Sequence, residues 1–364
     1  MKTPDLIQRR GNHTVAGFCR RNTLLWLACL LASTAVQADV NAEPLITEDV
    51  RRMIDGGLEW MASQQEQSGA WSTGATSGGN QYRGAMTGYA LLAFMGAGHL
   101  PDEGSHGETV RRGIDYLKNN VLPDGRILTD NQRHYMYSHG VVTLALAQAL
   151  GQTGNNEIRP VLTRMVELIV GASSGQGWRY KPQPSKGDIS VTVIQCVALR
   201  AARNVGIPVP QEVLDDAANF IRSCGITGKV GFSYMPGRNR SSYPRLAAAA
   251  FSLQVLGHYD DPLVAPAIEE ILNTRVRNQN TSGRTSFGDY YAAPAIYMRG
   301  GEMWEEWYRY IRNTFSNSAT RSGTMVNWGN PGSNANRDKS AIYLTANHVS
   351  ILAIPTRFFP IYQE

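Results

Sequence analysis

Cysteine is scarce in this chain, four in 364 residues, and no Cys-x-x-Cys pair occurs. That excludes a thiolate zinc module or a paired redox site of the usual spacing. None of the seven histidines falls in a His-Glu-x-x-His pattern, and there is no Gly-x-Ser-x-Gly elbow and no phosphate loop. The common signatures of zinc hydrolases, serine hydrolases and P-loop nucleotide binders are therefore missing. Charged residues make up only 18% of the chain, and no long acidic, proline-rich or polar tract interrupts it, so nothing in the body reads as disordered. The apolar run Leu24–Ala35 is about a dozen residues, too short to cross a bilayer comfortably.

What is present begins with that run. Arg9, Arg10, Arg20 and Arg21 precede it, and Val36-Gln37-Ala38 follows with small side chains at its first and third places. Basic, apolar, small is the order of a secretory signal, so residues 1–38 are expected to be cleaved after Ala38. The chain is then exported, periplasmic or extracellular. Sec and Tat routes both stay open. Residues 1–38 carry five basic side chains against Asp5, so of the net +5 only about +1 belongs to the remainder. The high pI belongs to the leader, and no Lys/Arg stripe argues for nucleic acid. Cys196 and Cys224 survive cleavage in different predicted helices, as a pair or as two buried thiols.

From residue 39 to 364 a two-helix unit recurs about every fifty residues, six times, and reads as one domain. Thr47–Gln65 carries Val50, Met53, Ile54, Leu58 and Met61 at helical spacing, and Arg83–His99 then follows, apolar nearly all round. The same pairing repeats as 109–121 with 137–150, 157–170 with 191–205, 211–224 with 244–256, 263–276 with 290–298, and 305–315 with 341–354. A helix apolar on all sides must be buried on all sides. Six such pairs predict an all-α double ring, outer helices around inner ones.

The turns inside these pairs share a glycine and an aromatic: Gly69-x-Trp71, Gly177-Trp178-Arg179-Tyr180, Gly231-Phe232-Ser233-Tyr234, and Gly323 followed by Trp328, with Pro123-Asp124-Gly125 in the second. Gln65 with Gly69-x-Trp71 resembles the QW repeat of the squalene cyclase and protein prenyltransferase superfamily, over roughly residues 46–364. Leu91–His99, Met136–Gly140, Gly187–Thr192 and Phe359–Gln363 are similar to secreted bacterial proteins, common in planctomycetes, described only as prenyltransferase and squalene oxidase repeat proteins. The resemblance implies an α6/α6 toroid, and that group brings no settled activity.

The superfamily's chemistry is not carried over. Its class II cyclases use an Asp-x-Asp-Asp acid, which is absent here; Asp215-Asp216 lies on an amphipathic outer helix and Asp260-Asp261 in a turn before Pro262. Its prenyltransferases bind zinc through an Asp and a Cys two places apart and a later His. The matching positions here hold Asp289, Tyr291 and Leu344, so two of three ligands are missing and no metal or cofactor is implied. A thioester of the complement type is not supplied by Cys224-Gly225-Ile226-Thr227.

Polar residues do collect near the starts of the inner helices: Tyr82 and Arg83, Tyr137 and His139, Asp188 and Thr192, Tyr243 and Arg245, Asp289 and Tyr290, and Tyr343. In the toroid these helix ends surround the mouth of the central cavity. His139, Asp188 and Arg245 are the candidates for acid–base and anion-binding work, and the others for cavity lining. His139 is expected to face the cavity. Each also has a plainer reading: Asp188 caps its helix, Arg245 pairs with Asp188 or Asp289, the tyrosines fill the ring. Two functions follow. One is a ligand-binding protein for a lipid-like, glycan or peptide ligand. The alternative is an enzyme such as a glycan lyase or hydrolase, with a terpene cyclase or prenyltransferase-like enzyme third.

Overall fold

The alternation of apolar and amphipathic segments becomes two rings in the computed structural model, which describes residues 44–73, 82–128, 134–279, 284–329 and 340–356. The inner ring consists of α2 (Arg83–Gly96), α4 (Tyr135–Thr153), α6 (Ile189–Asn204), α8 (Tyr243–Val255), α10 (Thr285–Arg299) and α12 (Ala341–Ala353). Each packs on the next, and α12 returns to α2, so the ring closes. Against it lie α1 (Glu48–Ser63), α3 (Gly107–Asn119), α5 (Ile158–Gly171), α7 (Gln211–Ser223), α9 (Val264–Leu272) and α11 (Gly301–Ser318). The burial follows the sequence pattern. Every residue of α2 from Gly84 to Gly96 is buried, whereas α3 buries one stripe, Gly107, Val110, Gly113, Ile114 and Leu117.

Three departures from the expected pattern have physical causes. The fifth outer helix widens at its end into a π-turn, Asn273–Arg277, in which the Arg275 side chain is buried. The inner helices α4 and α10 begin earlier than their apolar runs, at Tyr135 and Thr285. A short antiparallel pair, β1 (Thr320–Ser322) and β2 (Met325–Asn327), joins α11 to the last inner segment.

That hairpin helps to shut the ring. It rests on α1, where a Cβ at Gly56 would collide with the Thr324 carbonyl and one at Gly57 with Val349 of α12. Two glycines let α1 wedge between them. Hydrogen bonds then tie the last outer helix to α1 and the segment just before it: Arg312 donates to the Leu45 carbonyl at 3.1 Å and Ser316 to Asp49 at 2.7 Å. Cys196 and Cys224 are free, buried thiols. No described helix is long and apolar enough to cross a membrane. The expected signal, residues 1–38, and the Phe359–Gln363 stretch lie outside the described residues.

Candidate functional site

The turns explain two of the predicted site residues. In three hairpins a tryptophan is locked in the same way. The backbone N–H of Trp71, Trp178 and Trp328 donates to Thr87, Thr192 and Thr345 on the following inner helix, at 3.0, 3.1 and 3.1 Å. Each indole N–H donates to a carbonyl near the end of the preceding outer helix, Met61, Ile169 or Phe315, at 2.7, 2.7 and 2.9 Å. These orphan carbonyls would otherwise be buried without a partner. Thr192 is thus a turn lock and does not face the cavity.

His139 occupies the same register. It is the fifth residue of its inner helix, as Thr87 and Thr345 are of theirs. Hairpin two has Ile127 where the others have tryptophan, and its N–H goes to the Tyr135 hydroxyl at 2.7 Å. The His139 Nδ1 lies 3.4 Å from that hydroxyl, and its Nε2 lies 3.0 Å from the Met165 carbonyl of α5. An Nε2–H tautomer satisfies both contacts. The expectation that His139 faces the cavity is corrected: it points outward, fully buried, and desolvation lowers its pKa to about 4.

Inside the ring, tyrosines meet across the axis. Tyr89 of α2 touches Tyr290 of α10 edge-on, centroids 5.6 Å apart, although α12 lies between those helices. Tyr89 also meets Tyr343 at 5.1 Å, and Tyr290 meets Tyr291 at 5.2 Å. All four are buried. Tyr290 and Tyr343, expected to line a cavity, fill it instead. Tyr82, half buried, sits just before α2 in a left-handed backbone conformation, φ 49°.

Asp289 forms a closed cluster. Arg275 grips it with two nitrogens, 2.8 and 3.0 Å, and the Tyr243 hydroxyl donates to it at 2.6 Å. Burial, then the Asp289 charge, raises the Tyr243 pKa well above the phenol range. Asp289 was a candidate partner for Arg245 and for a ligand; both its oxygens are already taken.

Asp188 is different. Its Oδ1 caps α6, accepting from Ser190 N at 3.0 Å and Val191 N at 3.1 Å. Its Oδ2 is buried and makes no hydrogen bond of good geometry; Arg179 Nε is 3.8 Å away, and the Tyr234 hydroxyl is engaged with Tyr180 at 2.5 Å. Burial raises the Asp188 pKa, against the opposing pull of the Val191 amide, Tyr234, Arg179 and Ser190.

Ser190, whose amide this carboxylate caps, helps to line a pocket of about 210 Å³ together with Tyr137, Tyr234, Ser242, Pro244, Arg245, Arg284 and Phe287. The pocket draws on α4, α6, α8 and α10 at their N-terminal ends, the mouth that the sequence pattern foresaw. Of the predicted residues, Tyr137 and Arg245 line it. The trio His139, Asp188 and Arg245 is not assembled. Arg245 Nε donates to Ser242 at 2.9 Å, and no carboxylate among the described residues lies within ion-pair distance of it. Desolvation, then the neighbouring Arg240, lowers its pKa.

Tyr180 and Tyr234 were overlooked, yet they carried a signal. In Trp178-Arg179-Tyr180 and Phe232-Ser233-Tyr234 the first aromatic is buried in the turn, while the second, two residues on, is half-buried, and Tyr234 lines the pocket. A larger groove, about 770 Å³, opens on the outer wall between Val166, Val170 and Pro208–Pro210; apart from Glu167 and Arg203 its walls are apolar. It has no converging polar groups, so the smaller mouth pocket is the better site.

No protein-family model and no curated protein matches the sequence. Solved structures do match the fold. The type II terpene cyclase MstE from Scytonema superposes with a TM-score of 0.55 at 13% identity, covering 86% of this chain and 100% of the other. The cellobiose 2-epimerase from Spirochaeta thermophila gives 0.60 at 13%, covering 86% and 97%. The α-1,6-mannanase GH76A from Salegentibacter gives 0.59 at 9%, covering 86% and 99%. The chain is therefore an α/α toroid, the architecture that its QW-like turns foretold.

Proposed function

We propose that this protein binds a small anionic molecule, ring-shaped and about the size of one sugar unit, in the mouth pocket. The observation that carries this reading is Arg245: a half-buried cation with no carboxylate partner, set among Tyr137, Tyr234 and Phe287. A desolvated guanidinium in a pocket that three aromatic side chains also line suits a carboxylate on a ring. The fold alone does not choose between a sugar and a lipid, because it houses both a terpene cyclase and sugar-acting enzymes. Size does. Drug-sized ligands take roughly 300 Å³ or more; this pocket is smaller, and Tyr89, Tyr290, Tyr291 and Tyr343 pack on one another inside the ring. The signal-like residues 1–38 support an exported protein, where such sugars are available.

The catalytic alternative has less behind it. An acid–base lyase or hydrolase needs a group that exchanges a proton near neutral pH. In the pocket Tyr234 is pushed far up by burial, Tyr180 and Asp188, so it stays protonated. His139 is turned away. Asp188 is committed to its helix cap.

The test is saturation-transfer NMR of the protein with D-glucuronate and with D-glucose. Glucuronate is expected to respond and glucose not, and Arg245→Gln is expected to abolish the response. Equal responses, or a response that survives Arg245→Gln, would overturn the reading.

A further inference from the structure

The pocket opens onto two turns, residues 172–188 and 224–242, whose charge is one-sided. They carry Arg179, Lys181, Lys186, Lys229, Arg238 and Arg240, and their one carboxylate, Asp188, is fully buried. Arg245 and Arg284 continue the series at the pocket. Lys181, Lys186, Lys229, Arg238 and Arg240 are exposed, and none has a carboxylate within ion-pair distance among the described residues. The first two turns differ: there Arg83 is held by Glu66 at 2.9 Å and Arg126 by Asp124 at 2.6 Å. Among the described turn residues, these five exposed cations of hairpins three and four stand together without a carboxylate partner.

These two turns are stitched together. Ile189 N donates to the Tyr234 carbonyl at 3.1 Å, Tyr180 meets Tyr234 through their hydroxyls, and Arg179 reaches the Met235 sulfur at 3.3 Å. Met136 N donates to the Tyr180 carbonyl at 3.0 Å, which fixes the pair to α4. His134 and Tyr137 pack on the Tyr180 ring, and the Arg179 guanidinium sits 5.3 Å over it. The cations thus flank a fixed aromatic platform that leads into the pocket.

Resting on the pocket reading above, we propose that this rim is a track for an acidic polysaccharide, a sugar chain bearing carboxylate or sulfate groups, with one unit seated at Arg245. Spaced cations match regularly spaced anions, and flat aromatic rings match the faces of sugar rings. Single-stranded nucleic acid also suits aromatics and cations. It is disfavoured because the positive charge is local: residues 39–364 carry about +1 in all, whereas nucleic-acid-binding domains are commonly basic overall. The pocket also admits one small ring and not a nucleotide with its phosphate.

The test is titration of the full chain with polygalacturonate, dextran sulfate, neutral dextran and single-stranded poly-dT, at low and high salt. Polygalacturonate or dextran sulfate is expected to bind, more weakly as salt rises, and dextran not to bind. Lys186→Glu with Arg238→Glu and Arg240→Glu is expected to weaken that binding about tenfold or more, from three lost surface contacts. All three side chains are exposed, so folding is expected to survive; circular dichroism checks it. A control reversal away from the helix N-termini of the mouth, Arg51→Glu with Arg52→Glu on α1 and Arg299→Glu at the C-terminal end of α10, is expected to leave affinity within about twofold. The track is overturned if the rim variant binds as the parent does, if both triple variants lose affinity equally, or if poly-dT binds as tightly as the acidic glycans. D-glucuronate separates the two levels. If it binds but the acidic polymers bind no tighter, the track fails and the pocket stands. If none of them binds, both fail.

Discussion

Two aspartates stand at the N-terminal ends of inner helices, each with a tyrosine and an arginine beside it, and they have opposite fates. Asp289 is shared between Arg275 and Tyr243, all three side chains buried, with nothing left over for a ligand. Asp188 spends one oxygen on its helix cap and leaves the other without a hydrogen bond, 3.8 Å from Arg179. The same residue types build a closed fastening at Asp289 and a looser arrangement at Asp188. What separates them is where the arginine goes. Arg275, in a π-turn, grips Asp289, while Arg245 stays at the mouth without an acidic partner.

The comparison breaks first at the closed cluster. Asp289→Asn leaves Arg275 buried with half its partner, and is expected to cost about 3–5 kcal/mol in urea unfolding while glucuronate binding stays as it was. A loss under 1 kcal/mol would mean that the cluster does not hold the ring.

A second test uses pH. His139 stays neutral in the fold down to pH about 4, whereas the unfolded chain protonates near the ordinary 6.5. Between those values the unfolded state binds more protons, so stability falls as pH drops from about 6.5 to about 4, by on the order of 3 kcal/mol. His348, lowered to about 3 by burial and Arg275, works in the same direction. His139→Gln is expected to remove its own share of that slope, read from urea unfolding at the two ends of the window, without changing ligand binding. An unchanged slope would show that His139 is not the buried neutral group described above.

The smallest effect is expected at the open cluster. Asp188→Asn keeps a good N-cap and removes a charge that burial disfavours, so stability should change by no more than about 1 kcal/mol. With less negative charge near the pocket, glucuronate should bind somewhat more tightly. Weaker binding would place Asp188 in direct contact with the ligand.

The architecture was legible because the toroid is written in periodicity: apolar-all-round segments at six places, and a glycine–aromatic turn before most of them. A pocket at the starts of the inner helices was legible in part, since two of the residues singled out there, Tyr137 and Arg245, line it. Individual roles were not. His139 looked functional because a histidine stands out in an apolar helix; its register with Thr87 and Thr345 shows only when the turn hydrogen bonds are seen. Arg275 lay in an outer-helix pattern, and nothing in its spacing announced the π-turn that buries it. Tyr180 and Tyr234 were visible as the second aromatics of their turns, but their meeting depends on contacts between hairpins, such as Ile189 N to the Tyr234 carbonyl, that no spacing announces.

The most direct measurement is a crystal structure with a uronate trisaccharide soaked in. The account predicts one sugar unit between Tyr137, Tyr234 and Phe287 with its carboxylate on Arg245, and the next unit lying toward Arg240 and Lys186. Density for the sugar in the outer groove at Pro208–Pro210, with the mouth empty, would contradict it.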